Sequence, residues 1–310
     1  MHVTTAMILS AGLGTRLWPL SEVRAKPALP VAGEPMIRRF MRWLSNGGVT
    51  DVVINLHHRP QTIAAVAGDG RDLGVRVRYS WEQPRLLGAA GGPRQALDII
   101  GADTFVLVNG DTLTDVNLTA LAEAHQASGA RVTLALVPQA DPPRYGGVRL
   151  DAEGRVTGFA RRDHAEGSFH FVGVQLVSAG VFRPLTPGEP AASIGGIYDQ
   201  LIKQEPGAVR GFVCAASFYD VGTPADYWAT SWAFIDAAGD ESRAHGQRAR
   251  VDPTARVTRS ILWDDVSVAP GAMLEECVVT DGVHVPAGAA YRRTLLWQDT
   301  ARMRTTPLSL

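Results

Sequence analysis

A 17-residue repeat lies toward the C-terminus of this chain. Val251-Asp-Pro-Thr-Ala-Arg-Val-Thr-Arg-Ser-Ile-Leu-Trp263 returns as Val268-Ala-Pro-Gly-Ala-Met-Leu-Glu-Glu-Cys-Val-Val-Thr280, and again as Val285-Pro-Ala-Gly-Ala-Ala-Tyr-Arg-Arg-Thr-Leu-Leu-Trp297. Ala255, Ala272 and Ala289 stand in register, and apolar residues recur at steps of about six within each copy. A unit this short cannot bury an apolar face alone, so neighbouring copies must stack. Three faces of about six residues form one coil of a hexapeptide-type parallel β-helix. An ordinary antiparallel hairpin sheet is the competing reading of the same strands.

Upstream the pattern differs. Strand-like and helix-like segments alternate through the first 137 residues, as in a sheet covered by helices. Met36, Ile37, Phe40, Met41 and Leu44 fall at helical spacing after Pro35, and Gly47-Gly48 can stop that helix. Val52 to Leu56, the alternation Val75, Val77, Tyr79, the apolar run Thr104 to Asn109, and Val132 to Val137 read as strands. Between Tyr145 and Val181 shorter strands with Gly and Asp turns suggest an antiparallel extension. Ile197 to Ile202 and Tyr227 to Ile235 look helical, and the polar stretch 237–250 suits a linker.

Composition excludes several function classes. Thirty basic and 31 acidic residues give a net charge of -1, which argues against a nucleic-acid or membrane-surface partner recruited by bulk charge. No stretch approaches the roughly 18 apolar residues of a membrane span, so the cytoplasm is the expected address. Cys214 and Cys277 are far apart and point to reduced thiols rather than a disulfide framework.

The chemistry concentrates in residues 9–31, LSAGLGTRLWPLSEVRAKPALPV. A short apolar strand, Ala6 to Leu9, runs into Ala11-Gly12-Leu13-Gly14-Thr15-Arg16, and Lys26 follows before Pro27. Glycines after a strand let successive N–H groups face an anion, and Arg16 and Lys26 add fixed positive charge beside them. The segment lacks the Gly-Lys-Ser/Thr ending of a Walker loop, and Leu17 stands where a dinucleotide fold needs its third glycine. A plain turn is the alternative for the glycines alone.

The longer string resembles the signature of the nucleotidyltransferases that make nucleoside-diphosphate sugars, A-G-x-G-T-R-x-x-P-L-T followed by P-K-x-L-x-P-V. Ser21 replaces the threonine, and Ala25 replaces the proline before the lysine. The resemblance implies an α/β fold with a Rossmann-like mixed sheet over residues 1–238, a linker at 239–250, and a small left-handed parallel β-helix over 251–310. It also implies transfer of a nucleoside monophosphate from a nucleoside triphosphate to a sugar 1-phosphate, with Mg²⁺ as cofactor. Arg16 and Lys26 take the catalytic positions in that resemblance. Ala11, Gly12, Gly14, Thr15, Gly88 and Gly91 take the nucleotide-binding positions, the last two in the segment Gly88-Ala89-Ala90-Gly91-Gly92 expected under the base. A loop opening the next helix is the plainer reading of that segment.

Asp111 follows the strand Thr104 to Asn109 directly, and ligands in open α/β sheets collect at such strand ends. In the resemblance it holds the metal, paired with Asp220 of Tyr219-Asp220-Val221-Gly222-Thr223. Alone, Asn109-Gly110-Asp111 would read equally as a turn and Asp220 as a helix cap, although Thr223 before Pro224 caps better. Gly146, Arg162 and Gly173 take the sugar-phosphate positions. Here the match weakens: Arg161 stands in place of a glutamate and Phe171 in place of an asparagine. Glu82 falls near the base position only loosely.

The expected product is GDP-mannose, made from GTP and mannose 1-phosphate. Uridylyl or thymidylyl transfer to another hexose phosphate is the alternative, and a non-catalytic regulatory relative is the rival from another class. A homo-oligomer is expected, with the coils serving packing and subunit contact; three coils leave little room for an acetyltransferase site. A D-x-D glycosyltransferase is disfavoured, because Asp111 and Asp115 have the wrong spacing.

Overall fold

The computed structural model describes residues 3–139, 141, 144–299 and 302–310. The chain forms two compact units. One contains the residues up to Gly12 together with Ile37–Phe218; the other contains Leu13–Met36 together with Tyr219–Leu310.

The first unit is built on a nine-stranded mixed sheet. Its parallel half sets Thr5–Leu9 between Thr104–Asn109 and Asp51–Leu56, with Arg76–Trp81 outside. The long strand Phe169–Ser178 joins it antiparallel to Thr104–Asn109 and also pairs antiparallel with Val132–Pro138. Gly147–Leu150 and Val156–Ala160 form an antiparallel extension, and Val209–Val213 adds parallel to Val132–Pro138. The three central parallel strands are largely apolar and buried, with Met7, Val53 and Leu107 fully inside. Burial at each such position contributes about 1.5–3 kcal/mol.

The helix Met36–Asn46 buries the face anticipated from its spacing, with Met36, Ile37, Phe40, Met41 and Leu44 all inside. It stops at glycine for two reasons. Gly48 has φ +89°, and a methyl on Gly47 would come within 2.6 Å of Leu118 Cδ1. The segment Tyr145 to Val181 is antiparallel as expected, and the helices Tyr198–Gln204 and Pro224–Ala238 lie where the sequence placed them.

In the second unit the repeat winds into stacked parallel strands. Arg250–Val251, Ser267–Val268 and His284–Val285 form one face, and Arg256–Thr258, Met273–Glu275 and Ala290–Arg292 form another. The third face stacks Ile261–Leu262, Val278–Val279 and Thr294–Asp299, with Arg302–Pro307 added antiparallel. Every parallel register is offset by 17 residues, so each repeat is one coil of a β-helix.

Two columns of corner residues are left-handed: Arg259, Glu276 and Arg293, and Arg248, Asp265 and Gly282. Arg293 pairs with Glu276, and Arg248 with Asp265, each at 2.6 Å across adjacent coils. The interior is Leu262, Val268, Leu274, Val279, Val285 and their neighbours. Both cysteines are free thiols; Cys277 is buried in this interior and Cys214 is half-buried. The polar stretch before the repeat contains a short 3₁₀ turn, Glu241–Ala244, and the strand Arg250–Val251 that opens the first coil.

Candidate active site

The strand Thr5–Leu9 ends at Ser10, and Ala11 is buried while Gly12 is exposed. A methyl on Gly12 would meet no described atom within 4 Å, and its φ is not left-handed. Neither packing nor backbone strain among the described residues calls for glycine there.

Gly14 is different. It is left-handed, at φ +63°, and a methyl on it would lie 3.2 Å from Ser21 Cβ and 3.7 Å from Lys26 Cβ. The chain therefore folds back so that Lys26 lies across from Gly14. Between them Thr15–Leu17 forms a 3₁₀ turn that buries Leu17 and leaves Thr15 and Arg16 exposed. Lys26 opens a second 3₁₀ turn, Lys26–Ala28, anchored by the fully buried Ala25, Ala28 and Leu29.

Asp220 belongs to the same unit. It ends the strand Phe218–Asp220 and is half-buried. Gly222 marks a convergence: a methyl there would stand 3.2 Å from Asp220 Oδ2, 3.3 Å from Asp226 Oδ2 and 3.4 Å from Arg16 Nη1. Arg16 and Asp220, far apart in sequence, thus meet around one glycine. Thr223, not Asp220, caps the helix Pro224–Ala238. Its side chain accepts from Asp226 N at 3.2 Å, and Asp226 Oδ2 accepts from Thr223 N at 3.0 Å. Asp226 beside Asp220 was missed in the sequence, where only its place in the capping box could have flagged it.

In the first unit, Asp111 follows Thr104–Asn109 after Gly110, whose N–H donates to Leu9 O at 2.9 Å. This places Asp111 at the C-terminal end of the central strands, half-buried, with Thr112 Oγ1 donating to its Oδ1 at 3.3 Å. Gly173 lies against the same strand end. It has φ +80°, and a methyl on it would come within 3.0 Å of Asn109 Cβ.

Gly88 and Gly91 occupy the first turn of the helix Gly88–Ile100. Added methyls would stand 2.9 Å from Ala191 O and 2.5 Å from Glu189 O, so close packing against residues 189–191 already accounts for both glycines. Gly146 is exposed beside Ala160 O, and Arg162 is exposed in the 3₁₀ turn Arg162–His164. Arg161 leans toward Asp163 at 3.7 Å, while Phe171 packs against the sheet core. Phe171 offers no polar group where the resemblance places an amide.

The sequence reading also missed a buried polar chain. Asn55 Oδ1 accepts from Ser10 N at 2.5 Å, and Asn55 Nδ2 donates to Glu82 Oε1 at 2.6 Å. Glu82 Oε2 then accepts from Leu87 N at 2.7 Å. Both side chains are buried, so Glu82 braces the start of the glycine loop against the start of the Gly88 helix. Asn55, a lone amide in the apolar run Val52 to Leu56, was the available signal.

Beside Gly146, Tyr145, His170 and Phe218 form an aromatic cluster, with His170 4.4 Å from Tyr145 and 4.5 Å from Phe218 between ring centroids. Burial drives the His170 pKa down to about 4, and its Nδ1 has no hydrogen-bond partner among the described residues.

The first unit is a mixed sheet with Asp111 at a strand end. The second carries a glycine-containing loop with Arg16 and Lys26, and Asp220 at a strand end. The chain belongs to the nucleotidyl transferase family, whose model matches residues 5–236. Among similar proteins, the mannose-1-phosphate guanylyltransferase of Mycobacterium tuberculosis is 28% identical over 302 residues, covering 94% of this chain and 84% of that protein. The D-glycero-α-D-manno-heptose 1-phosphate guanylyltransferase of Aneurinibacillus thermoaerophilus is 30% identical over 223 residues, covering 72% of this chain and 94% of its own length. The crystal structure of HddC from Yersinia pseudotuberculosis shares the fold, with TM-score 0.65 and 24% identity, over 75% of this chain and 100% of that one. Among the described residues, no helix is long and apolar enough to cross a membrane.

Proposed function

We propose that this nucleotidyltransferase joins a nucleoside monophosphate to a sugar 1-phosphate, with GTP and mannose 1-phosphate as the substrate pair. The observation that carries this reading is the similarity to a mannose-1-phosphate guanylyltransferase across 94% of the chain, coils included. A second guanylyltransferase of similar identity supports guanine as the base.

In the reaction, an oxygen of the sugar phosphate attacks the α-phosphorus. A new P–O bond forms, the bond to the β-phosphate oxygen breaks, and pyrophosphate leaves with the electron pair. The nucleophile is already ionised at neutral pH, so the protein has to gather negative charges rather than remove a proton. Arg16 can fork onto phosphate oxygens, and Lys26 supplies a point charge to the α-phosphate. Gly12 leaves the loop backbone open to the triphosphate. The family resemblance assigns Gly146, Arg162 and Gly173 to the sugar-phosphate side.

Asp111 and Asp220 are hard oxygen donors, and no described group of three His, Cys, Asp or Glu side chains forms a protein cage for a metal. Carboxylates of this kind suit Mg²⁺, which typically takes one or two of them and leaves its other positions to phosphates and water. The family resemblance assigns that role to both aspartates. When bound, the ion neutralises developing phosphate charge. The protein is further proposed to act in the cytoplasm as a homo-oligomer, which light scattering would test.

The deciding experiment measures pyrophosphate release by the purified protein with Mg²⁺, four nucleoside triphosphates and a panel of sugar 1-phosphates. GTP with mannose 1-phosphate should turn over fastest. Preference for another pair would reassign the substrates. No turnover by folded protein would favour a non-catalytic member, the reading to which Arg161 and Phe171 point.

A further inference from the structure

Residues 13–36, which carry Arg16 and Lys26, fold with the C-terminal coils in one compact unit. The grip is specific. Arg24 donates from Nε to Asp281 Oδ2 at 2.7 Å, and from Nη2 to Asp281 Oδ1 and Asp264 Oδ2, both at 2.6 Å. Its guanidinium lies 5.3 Å from the Trp263 ring centroid. Only 14% of the Arg24 side chain is exposed, against 30% and 31% for the two aspartates.

Two further contacts flank this one. Trp263 Nε1 donates to Tyr227 Oη at 2.8 Å, and Tyr227 Oη donates to Pro30 O at 2.6 Å. Trp18 meets Trp297 edge-on, with centroids 5.4 Å apart. The coils therefore touch the signature segment at Trp18 and Arg24 directly, and at Pro30 through Tyr227. Arg16 lies two residues before the first contact and Lys26 two residues after the second.

The repeat carries acids where it meets Arg24. At the 17-residue spacing, the column through the two aspartates reads Gln247, Asp264, Asp281, Gln298. Acids appear only at the two positions that Arg24 bridges, and amides stand on either side. Asp264 and Asp281 also lie close to each other, since Asp264 N donates to Asp281 Oδ1 at 3.1 Å. Without a cation between them, two half-buried carboxylates would repel. Arg24 between them offsets that repulsion, so the acid pair and the arginine are matched to each other.

We propose that Arg24 is a positioning residue: by bridging Asp264 and Asp281 it fixes the signature segment to the β-helix and holds Lys26 and Arg16 at their working positions. The coils then act in catalysis through this anchor, beyond packing and subunit contact. The inference rests on the reading of Arg16 and Lys26 as the cations that handle phosphate. Small displacements of such groups are costly, because misplacement by about 1 Å can reduce rate 100-fold.

The test compares Arg24→Ala, Arg24→Lys, Asp281→Asn and the Arg24→Ala/Asp281→Asn double variant of the full chain. The readouts are kcat, KM for GTP and hydrogen exchange of individual segments. Arg24→Ala should lower kcat by about 10- to 100-fold while KM changes less. Amide protection should fall in 13–36 and persist in the sheet strands. Arg24→Lys should recover part of kcat, because a lysine reaches one carboxylate but cannot fork across two. In the double variant the losses should not add.

Wild-type kcat together with unchanged exchange in 13–36 for Arg24→Ala would overturn the proposal. So would a kcat loss accompanied by lost protection throughout the coils and in Asp281→Asn alike, since that pattern marks a general folding role. If Arg24→Ala does not fold, Asp281→Asn carries the same comparison. If the wild-type protein turns over no substrate pair, the functional reading fails by itself, and the exchange of 13–36 still decides whether Arg24 is the anchor.

Discussion

Glu82 Oε1 stands 2.6 Å from Asn55 Nδ2, and a methyl on Gly92 would come within 2.4 Å of that same oxygen. The carboxylate packs against the helix Gly88–Ile100 and is committed to two donors, Asn55 Nδ2 and Leu87 N. It links two loops of the nucleotide half through the protein interior. Glu82→Gln replaces one acceptor with an NH₂ group, leaving either Asn55 or Leu87 facing a donor. Urea unfolding should show a loss of about 1–3 kcal/mol, the cost of an unsatisfied buried polar group. KM for the nucleotide should rise, and unchanged stability would show that the network relaxes.

Gly222→Ala separates function from folding. Its backbone is not left-handed, so alanine brings no left-handed strain, and the nearest atoms to the new methyl would be side-chain atoms of Asp220, Asp226 and Arg16 at 3.2–3.4 Å. Those atoms must yield by tenths of an ångström. A kcat loss of about tenfold or more with a nearly unchanged melting temperature is expected. Full activity would mean that the Arg16–Asp220 arrangement does not matter to the reaction.

Asp111→Asn and Asp220→Asn keep shape and remove charge. Each should reduce turnover by orders of magnitude and raise the Mg²⁺ concentration needed for half-maximal rate. Titrating Mg²⁺ against rate tests this. A variant with the wild-type metal dependence would lose its assignment as a ligand.

His170 makes stability depend on pH. Its pKa is about 4 in the folded protein, against the ordinary 6.5 when unfolded, because burial disfavours the charged ring. Between those values the unfolded chain binds the extra proton. Stability is therefore full above about pH 6.5 and falls as the pH drops toward 4, by about 3 kcal/mol in all. His170→Phe should flatten this part of the urea-midpoint profile between pH 7 and 4.5. A profile of the same slope as wild type would show that other groups set it.

Much of the fold was legible because it rests on local periodicity. The 17-residue spacing became the register of every parallel coil strand, and Thr104 to Asn109 is a strand with the bounds read from its β-branched run. Helix stops at Gly47-Gly48 followed from the same short-range rules. The site was legible as a list of residues in motifs, and less so as an arrangement. Nothing near Gly91 in sequence announces the backbone of Glu189 that fills the space of its missing side chain.

The sequence by itself determined which segments are strands, helices and coils, and which cations and carboxylates are available for phosphate chemistry. Those properties depend on patterns within a few residues or one repeat. Only the tertiary structure decided that Asp220 meets Arg16 around Gly222, that Glu82 is a buried brace, and that Arg24 reaches Asp264 and Asp281. These are contacts between residues separated by up to 257 positions, as for Arg24 and Asp281. Which distant partner a charged or polar group finds is set by how the packed faces bring the chain together, and desolvation then gives that contact its strength.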